Sequence, residues 1–177
     1  MTLADSSCRR LSLAVLGMSL SVALLRPQLS GALVMRGDDL LYQSRDGRAL
    51  QFYRRALFVD PENAAAADRY VFVSLMGHGR SSLERAVVVA SIFLARHVDD
   101  VTLLMDRALC ERVLSRNQAA ESDFLRAGLI SHDARALVFA GYAALRAGGR
   151  SRARRWWRLA LAMRSGYIPA ERALRLR

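Results

Sequence analysis

From residue 33 to the C-terminus, apolar residues recur at the three-to-four-residue spacing of amphipathic helices, and no stretch alternates with the period of two that marks a half-buried strand. Breaks at Asp46-Gly47, Asp60-Pro61, Gly77-His78-Gly79, Val98-Asp99-Asp100, Arg116-Asn117, Ser131-His132-Asp133, Gly148-Gly149 and Ser165-Gly166 leave segments of 10 to 16 residues. The pattern predicts eight helices joined by short turns, followed by a short tail helix opened by Pro169. The start of the chain is different. Arg9-Arg10 precede a 15-residue apolar run, Leu11 to Leu25, interrupted only by Ser and Gly. A basic flank before such a run has the form of a secretory signal, and the small residues of Ser30-Gly31-Ala32 offer a cleavage site after Ala32. The run is short for a spanning helix, which takes about 20 residues. Leu29 to Met35 would extend it into an uncleaved anchor if Arg26 snorkels.

The second helix of each pair carries one pattern: Ala49-Tyr53-Ala56, Ala86-Ala90-Phe93, Ala120-Phe124-Ala127 and Ala153-Trp157-Ala160, each spaced +4, +3, with offsets of 37, 34 and 33 between triplets. Gly37 and Gly141 each lie twelve residues before the first Ala of their triplet, and Asp60-Pro61-Glu62-Asn63 closes the first unit. This pattern resembles the tetratricopeptide repeat, a helix–turn–helix unit of about 34 residues. The resemblance covers residues 30–167, about four repeats. It departs from the family at Ala90, where an aromatic is usual, at Ala108, where glycine is usual, and in a turn from Gly77 to Ser82 that reads about three residues long for a 34-residue unit. It implies an all-α, right-handed α-solenoid of helix–turn–helix repeats, preceded here by an N-terminal hydrophobic signal or anchor helix. The expected organisation is a signal peptide or membrane anchor over 1–32, the repeat domain over 33–167, and a short C-terminal capping helix and basic tail over 168–177.

Charge changes the picture at one end only. All 27 basic residues are Arg, which fits a GC-rich genome and, with the repeat resemblance, a bacterial source. Residues 36–133 hold 13 Arg against 14 acids, whereas residues 134–177 hold 11 Arg against Glu171 alone. Nearly all of the net +11 therefore sits in the last quarter of the chain. In helix 150–164, Arg154, Arg155 and Arg158 fall opposite Ala153, Trp157 and Ala160, with no acid three or four residues away. That stripe is expected to meet an anionic surface, with Trp156 beside it as an interfacial or hot-spot aromatic.

No catalytic, cofactor-binding or metal-binding constellation is legible. His78, His97 and His132 fall in predicted turns, Cys110 reads as a small buried hydrophobe, and Gly148-Gly149-Arg150-Ser151 is too short for a phosphate loop and lacks its Lys. The chain is expected to be no enzyme and to need no cofactor. In the resembling family the first helix of each pair lines the concave face. The register then assigns Leu41, Tyr42, Phe72, Leu75, Met105, Leu109, Phe139 and Tyr142 to that face, with Arg112 and Arg146 near its rim. The expected function is a protein–protein interaction scaffold at the cell envelope, membrane-anchored or exported, taking a peptide or helix of another protein in an apolar groove. Anionic lipid is a further partner for the basic end. The alternative is a basic helical protein of the membrane surface or one that binds nucleic acid, the latter disfavoured by export and by the absence of an aromatic-studded basic groove.

Overall fold

The computed structural model describes residues 25–77 and 79–176. Arg9-Arg10, the apolar run as far as residue 24, Cys8 and His78 lie outside the described residues, and so does the body of the expected signal or anchor helix. Among the described residues every regular element is a helix: α1 (25–42), α2 (Asp46–Val59), α3 (Ala64–Leu75), α4 (Arg80–Leu94), α5 (Val101–Val113), α6 (Asn117–Ser131), α7 (Ala134–Arg146), α8 (Arg150–Met163) and α9 (Ile168–Leu174). None of them is long and apolar enough to cross a membrane. The described residues fall into two compact units that divide between Ala66 and Ala67, within α3.

In the first unit α1 and α2 form a helical hairpin around Tyr53. Ala49, Tyr53 and Ala56 are completely buried, as the small–aromatic–small spacing requires of one helix face. Gly37 on α1 lies against the Tyr53 ring so closely that any side chain there would overlap it. The Tyr53 hydroxyl donates to Asp38 Oδ1 at 2.7 Å, which satisfies the polar tip of an otherwise buried ring. Chain reversal is complete at Ser44, which takes the left-handed conformation (φ 57), and the Arg45 N–H closes the helix end on Leu40 O at 2.9 Å. Asp46-Gly47, expected as the break, therefore lies in the first turn of α2. Ser30 is fully buried. Its Oγ donates to Ala56 O (2.9 Å) and accepts from Asn63 Nδ2 (2.7 Å), while Asn63 Oδ1 accepts from the Ala66 N–H (2.9 Å). Helix α1 is unbroken across Ala32, so the boundary expected at 32–33 falls inside a helix.

The second unit stacks successive helices in chain order, α4 on α5, α5 on α6, α6 on α7, α7 on α8 and α8 on α9. Its core is the expected set of triplets: Ala86, Ala90, Ala120, Phe124, Ala127, Ala153 and Ala160 are completely buried, and Trp157 and Phe93 nearly so. Small residues let the helix axes approach and leave room for the ring between neighbours. Gly141 faces the Trp157 indole with no space for a Cβ, and the indole Nε1–H donates to Val138 O at 3.2 Å. Ala108 and Phe124 share a core cluster with Ala120, Ala140 and Ala143, so alanine serves where the glycine is missing. A second glycine, Gly128, is pinned beneath Leu137; the repeat pattern did not single it out.

The turns of this unit also settle the departure in the second repeat. The long turn expected over Gly77–Ser82 is short, because α4 already begins at Arg80. Gly77 (φ +113) and Gly79 (φ +80) take conformations that side chains rarely adopt, and the surplus residues become the first turn of α4, where Ser82 Oγ meets Ser74 Oγ of α3 at 3.3 Å. Asp100 and Asp133 cap α5 and α7 by accepting from the Leu103 and Arg135 N–H groups. Arg107 of α5 makes a two-pronged pair with Asp123 of α6, both bonds 2.7 Å, and its Nη1 donates to Ser91 of α4 at 3.1 Å. The pair is largely buried. The Asp123 bond holds the guanidinium above its ordinary pKa, against the opposing effect of burial. Such a pair contributes little net stability but fixes three helices in register.

Candidate functional site

Helix α5 turns one face toward the start of α7. On it lie Val101, Thr102, Met105, Asp106 and Leu109, which are neighbours because residues three and four apart share a helix face. Opposite stand Ser131, Asp133, Arg135 and Phe139. Between them is an open groove of about 610 Å³. Its floor is apolar: Met105, Leu109 and Phe139 are half-buried and rest on the Ala108–Phe124–Ala140 cluster, with Phe139 tilted on Phe124 at 5.5 Å between ring centres. Its edge is acidic. Asp106 reaches no hydrogen-bond or ion-pair partner among the described residues, whereas Arg135 is held by Asp133 at 3.3 Å and Arg107 by Asp123. Burial first, then the charges of Asp68 and Asp100, push the Asp106 carboxyl up to about 6.

The other residues expected in a groove are placed as follows. Tyr142 packs edge-on against Trp157, centroids 5.4 Å apart, as part of the core around α8 rather than beside Met105. Leu75 lines a different hollow of about 380 Å³ with Leu83, Val113 and Leu114. Phe72 is about half exposed on α3 and Tyr42 is 93% exposed in the first unit. Arg112 is half-buried and Arg146 exposed. Asp106 and Arg135 were not singled out from the sequence, and Asp133 only as part of the Ser131-His132-Asp133 break. Only Arg135 carried a spacing signal, four residues before the expected groove residue Phe139.

At the basic end Arg154, Arg155 and Arg158 are exposed along α8, and among the described residues no acid pairs with them. Trp156 departs from its expected role as a surface aromatic. Its Nε1–H donates to Glu121 Oε1 at 2.9 Å, Arg152 reaches the same carboxylate at 3.0 Å, and the ring packs on the core clusters of α5–α8. Arg155 lies 5.2 Å above the ring from outside. The one cysteine among the described residues, Cys110, is buried, and burial together with the charges of Asp106 and Glu111 pushes its thiol up to about 12. It stays protonated at neutral pH, as a packed hydrophobe does. No group of three or more His, Cys, Asp or Glu able to hold a metal ion occurs among the described residues.

Paired helices, a small residue opposite each packed aromatic, and a groove between alternate helices define the tetratricopeptide-like class of helical-repeat fold. Solved structures agree. The chain is similar to MamA, with a TM-score of 0.68 at 15% identity over 84% of this chain and 80% of that one. It is similar to a tetratricopeptide repeat protein from Parabacteroides merdae, with a TM-score of 0.67 at 16% identity over 82% of this chain and 57% of that one. It is also similar to PilF of Pseudomonas aeruginosa, with a TM-score of 0.60 at 18% identity over 84% and 74% of the two chains. At these identities the likeness is one of fold. No protein-family model and no curated protein sequence matches the chain.

Proposed function

We propose that this chain is a non-enzymatic protein–protein interaction scaffold whose α5–α7 groove takes a peptide or helix from another protein. The observation that carries the reading is the groove itself: half-buried Met105, Leu109 and Phe139 form an apolar floor that stands open among the described residues. Apolar anchors at this helical spacing suit side chains of a docked segment. Placement at the cell envelope rests on Arg9-Arg10 and the Leu11–Leu25 run, and an uncleaved anchor is favoured by the buried Ser30, whose bonds to Ala56 and Asn63 a cut after Ala32 would remove.

A second reading concerns the other end. Exposed Arg154, Arg155 and Arg158, unmatched by acid among the described residues, support contact with anionic lipid, and it operates beside the groove rather than in place of it. The groove is tested by selecting binders from a random 12-residue peptide library on the full chain and on the Met105→Ser/Leu109→Ser variant, with helicity checked by circular dichroism. Peptides retained by the parent and lost by the variant are expected. Equal retention by both contradicts the groove.

A further inference from the structure

The groove differs in charge from the Arg-rich last quarter of the chain. The chain carries a net +11, yet Asp106 lines the groove with no cation paired to it among the described residues. Asp106 stands on α5, Asp100 caps the start of that helix, and Asp68 approaches from α3 closely enough to raise the Asp106 carboxyl. The cations nearby are committed elsewhere. Arg69 lies 3.5 Å from Asp68, Arg135 is held by Asp133, and Arg107 is bound on both prongs by Asp123. Asp106 alone faces the apolar floor with no partner among the described residues. A half-buried carboxylate beside two others is a source of strain that a cation relieves, and the relief is greatest where apolar contacts exclude water.

We propose that the α5–α7 groove selects a cationic amphipathic segment of another protein, whose apolar side chains rest on Met105, Leu109 and Phe139 while an Arg or Lys meets Asp106. This rests on the reading of the groove as a docking site and adds the chemistry of its occupant. Long-range electrostatics oppose such a partner, because the protein as a whole repels cations; the preference is therefore local and must disappear when Asp106 is neutralised. Binding is also coupled to protons. A docked cation favours the ionised carboxyl, so the segment binds more tightly at pH 7.5 than at pH 5, on the order of tenfold if Asp106 returns near its ordinary value in the complex. The charged and titratable groups around Asp106 include Asp133 and Arg135 on the opposite wall of the groove, Asp68 of α3, Asp100 and the Cys110 thiol, and the last stays protonated throughout this range.

The experiment is the same random-peptide selection on the full chain, read by charge. Groove-dependent peptides are expected to be enriched in Arg or Lys interspersed with Leu, Ile or Phe. The enrichment in basic residues should vanish with Asp106→Asn and persist with Arg154→Gln/Arg155→Gln/Arg158→Gln. A selected peptide, synthesised and titrated by fluorescence anisotropy, should lose about tenfold in affinity between pH 7.5 and 5 on the parent chain and show no such change on Asp106→Asn. Groove-dependent peptides that are neutral or acidic would overturn the cationic preference while leaving the docking site standing. An absence of groove-dependent peptides would instead overturn the docking site. Sedimentation velocity distinguishes a second copy as occupant: self-association abolished by Asp106→Asn would mean that the protein's own Arg-rich end fills the groove, and would overturn a heterologous partner.

Discussion

Replacing Gly141 with Ala inverts an ordinary expectation, and the sign of the result tests the packing of the repeats. In an exposed helix interior, Gly→Ala is stabilising by about 1 kcal/mol, because alanine restricts the unfolded backbone. Gly141 lies in the middle of α7, completely covered by the Trp157 indole, and an added Cβ would overlap Nε1, Cδ1 and Cε2 of that ring. The ring cannot swing away easily. It is 2% exposed, tied to Val138 O at 3.2 Å, and braced by the edge of Tyr142. Overpacking of this kind costs about 1–3 kcal/mol, and a rigid, hydrogen-bonded ring belongs at the upper end. After subtracting the backbone gain, Gly141→Ala should destabilise by about 2 kcal/mol in urea titrations followed by circular dichroism. In a Trp157→Ala background, itself costing about 3–5 kcal/mol, the same substitution should become neutral or stabilising, giving a coupling of about 2 kcal/mol or more. Gly47→Ala, at a position with nothing within 4 Å, is the control and should stabilise. A Gly141→Ala protein more stable than the parent would refute the close approach of α7 and α8.

Three further outcomes follow from other parts of the molecule. Asp123→Ala should cost about 3–5 kcal/mol in the same titrations, because Arg107 is left largely buried without its carboxylate, and Arg107→Met together with Asp123→Leu should recover most of it. The folded chain holds a proton on Asp106 at pH values where the unfolded chain, with its ordinary value of 3.8, has released it. The resulting contribution is present below about pH 4 and lost as pH rises through about 6; after discounting for a half-exposed group it amounts to about 1 kcal/mol, and Asp106→Asn should remove that part of the pH profile. Changing Arg154, Arg155 and Arg158 together to Gln should leave the melting curve within about 0.5 kcal/mol of the parent, while weakening sedimentation with phosphatidylserine-containing vesicles at low salt.

What the sequence disclosed was whatever is encoded at fixed short spacing. The Ala–aromatic–Ala triplets and the glycines twelve residues upstream mark helix crossings, and Tyr53, Phe124 and Trp157 are buried where that spacing puts them. Contacts set by tertiary geometry were invisible. Nothing in the spacing of Arg107 and Asp123, or of Glu121 and Trp156, says that they meet across helices, so Trp156 read as a surface aromatic when it is half-buried and hydrogen-bonded to Glu121. The groove was half legible. Met105, Leu109 and Phe139 follow from repeat register, but the same register put Tyr142 with them, because it does not distinguish a residue on the open face from one a turn away against Trp157. The acid at the groove's edge went unnoticed, since a lone Asp on a helix reads as solvated until its neighbours are known.

The most direct test of the groove is site-specific photocrosslinking of the full chain in the cell that makes it. A benzophenone amino acid placed at Leu109, on the floor between α5 and α7, is compared with one at Val88, which is 57% exposed on α4 and away from the groove. Crosslinks from position 109 to a discrete second polypeptide, absent from position 88 and identified by mass spectrometry, are the expected result. A chain that crosslinks to the same species from position 88 as from position 109, or to none from the groove, would contradict the α5–α7 groove as the partner-binding site.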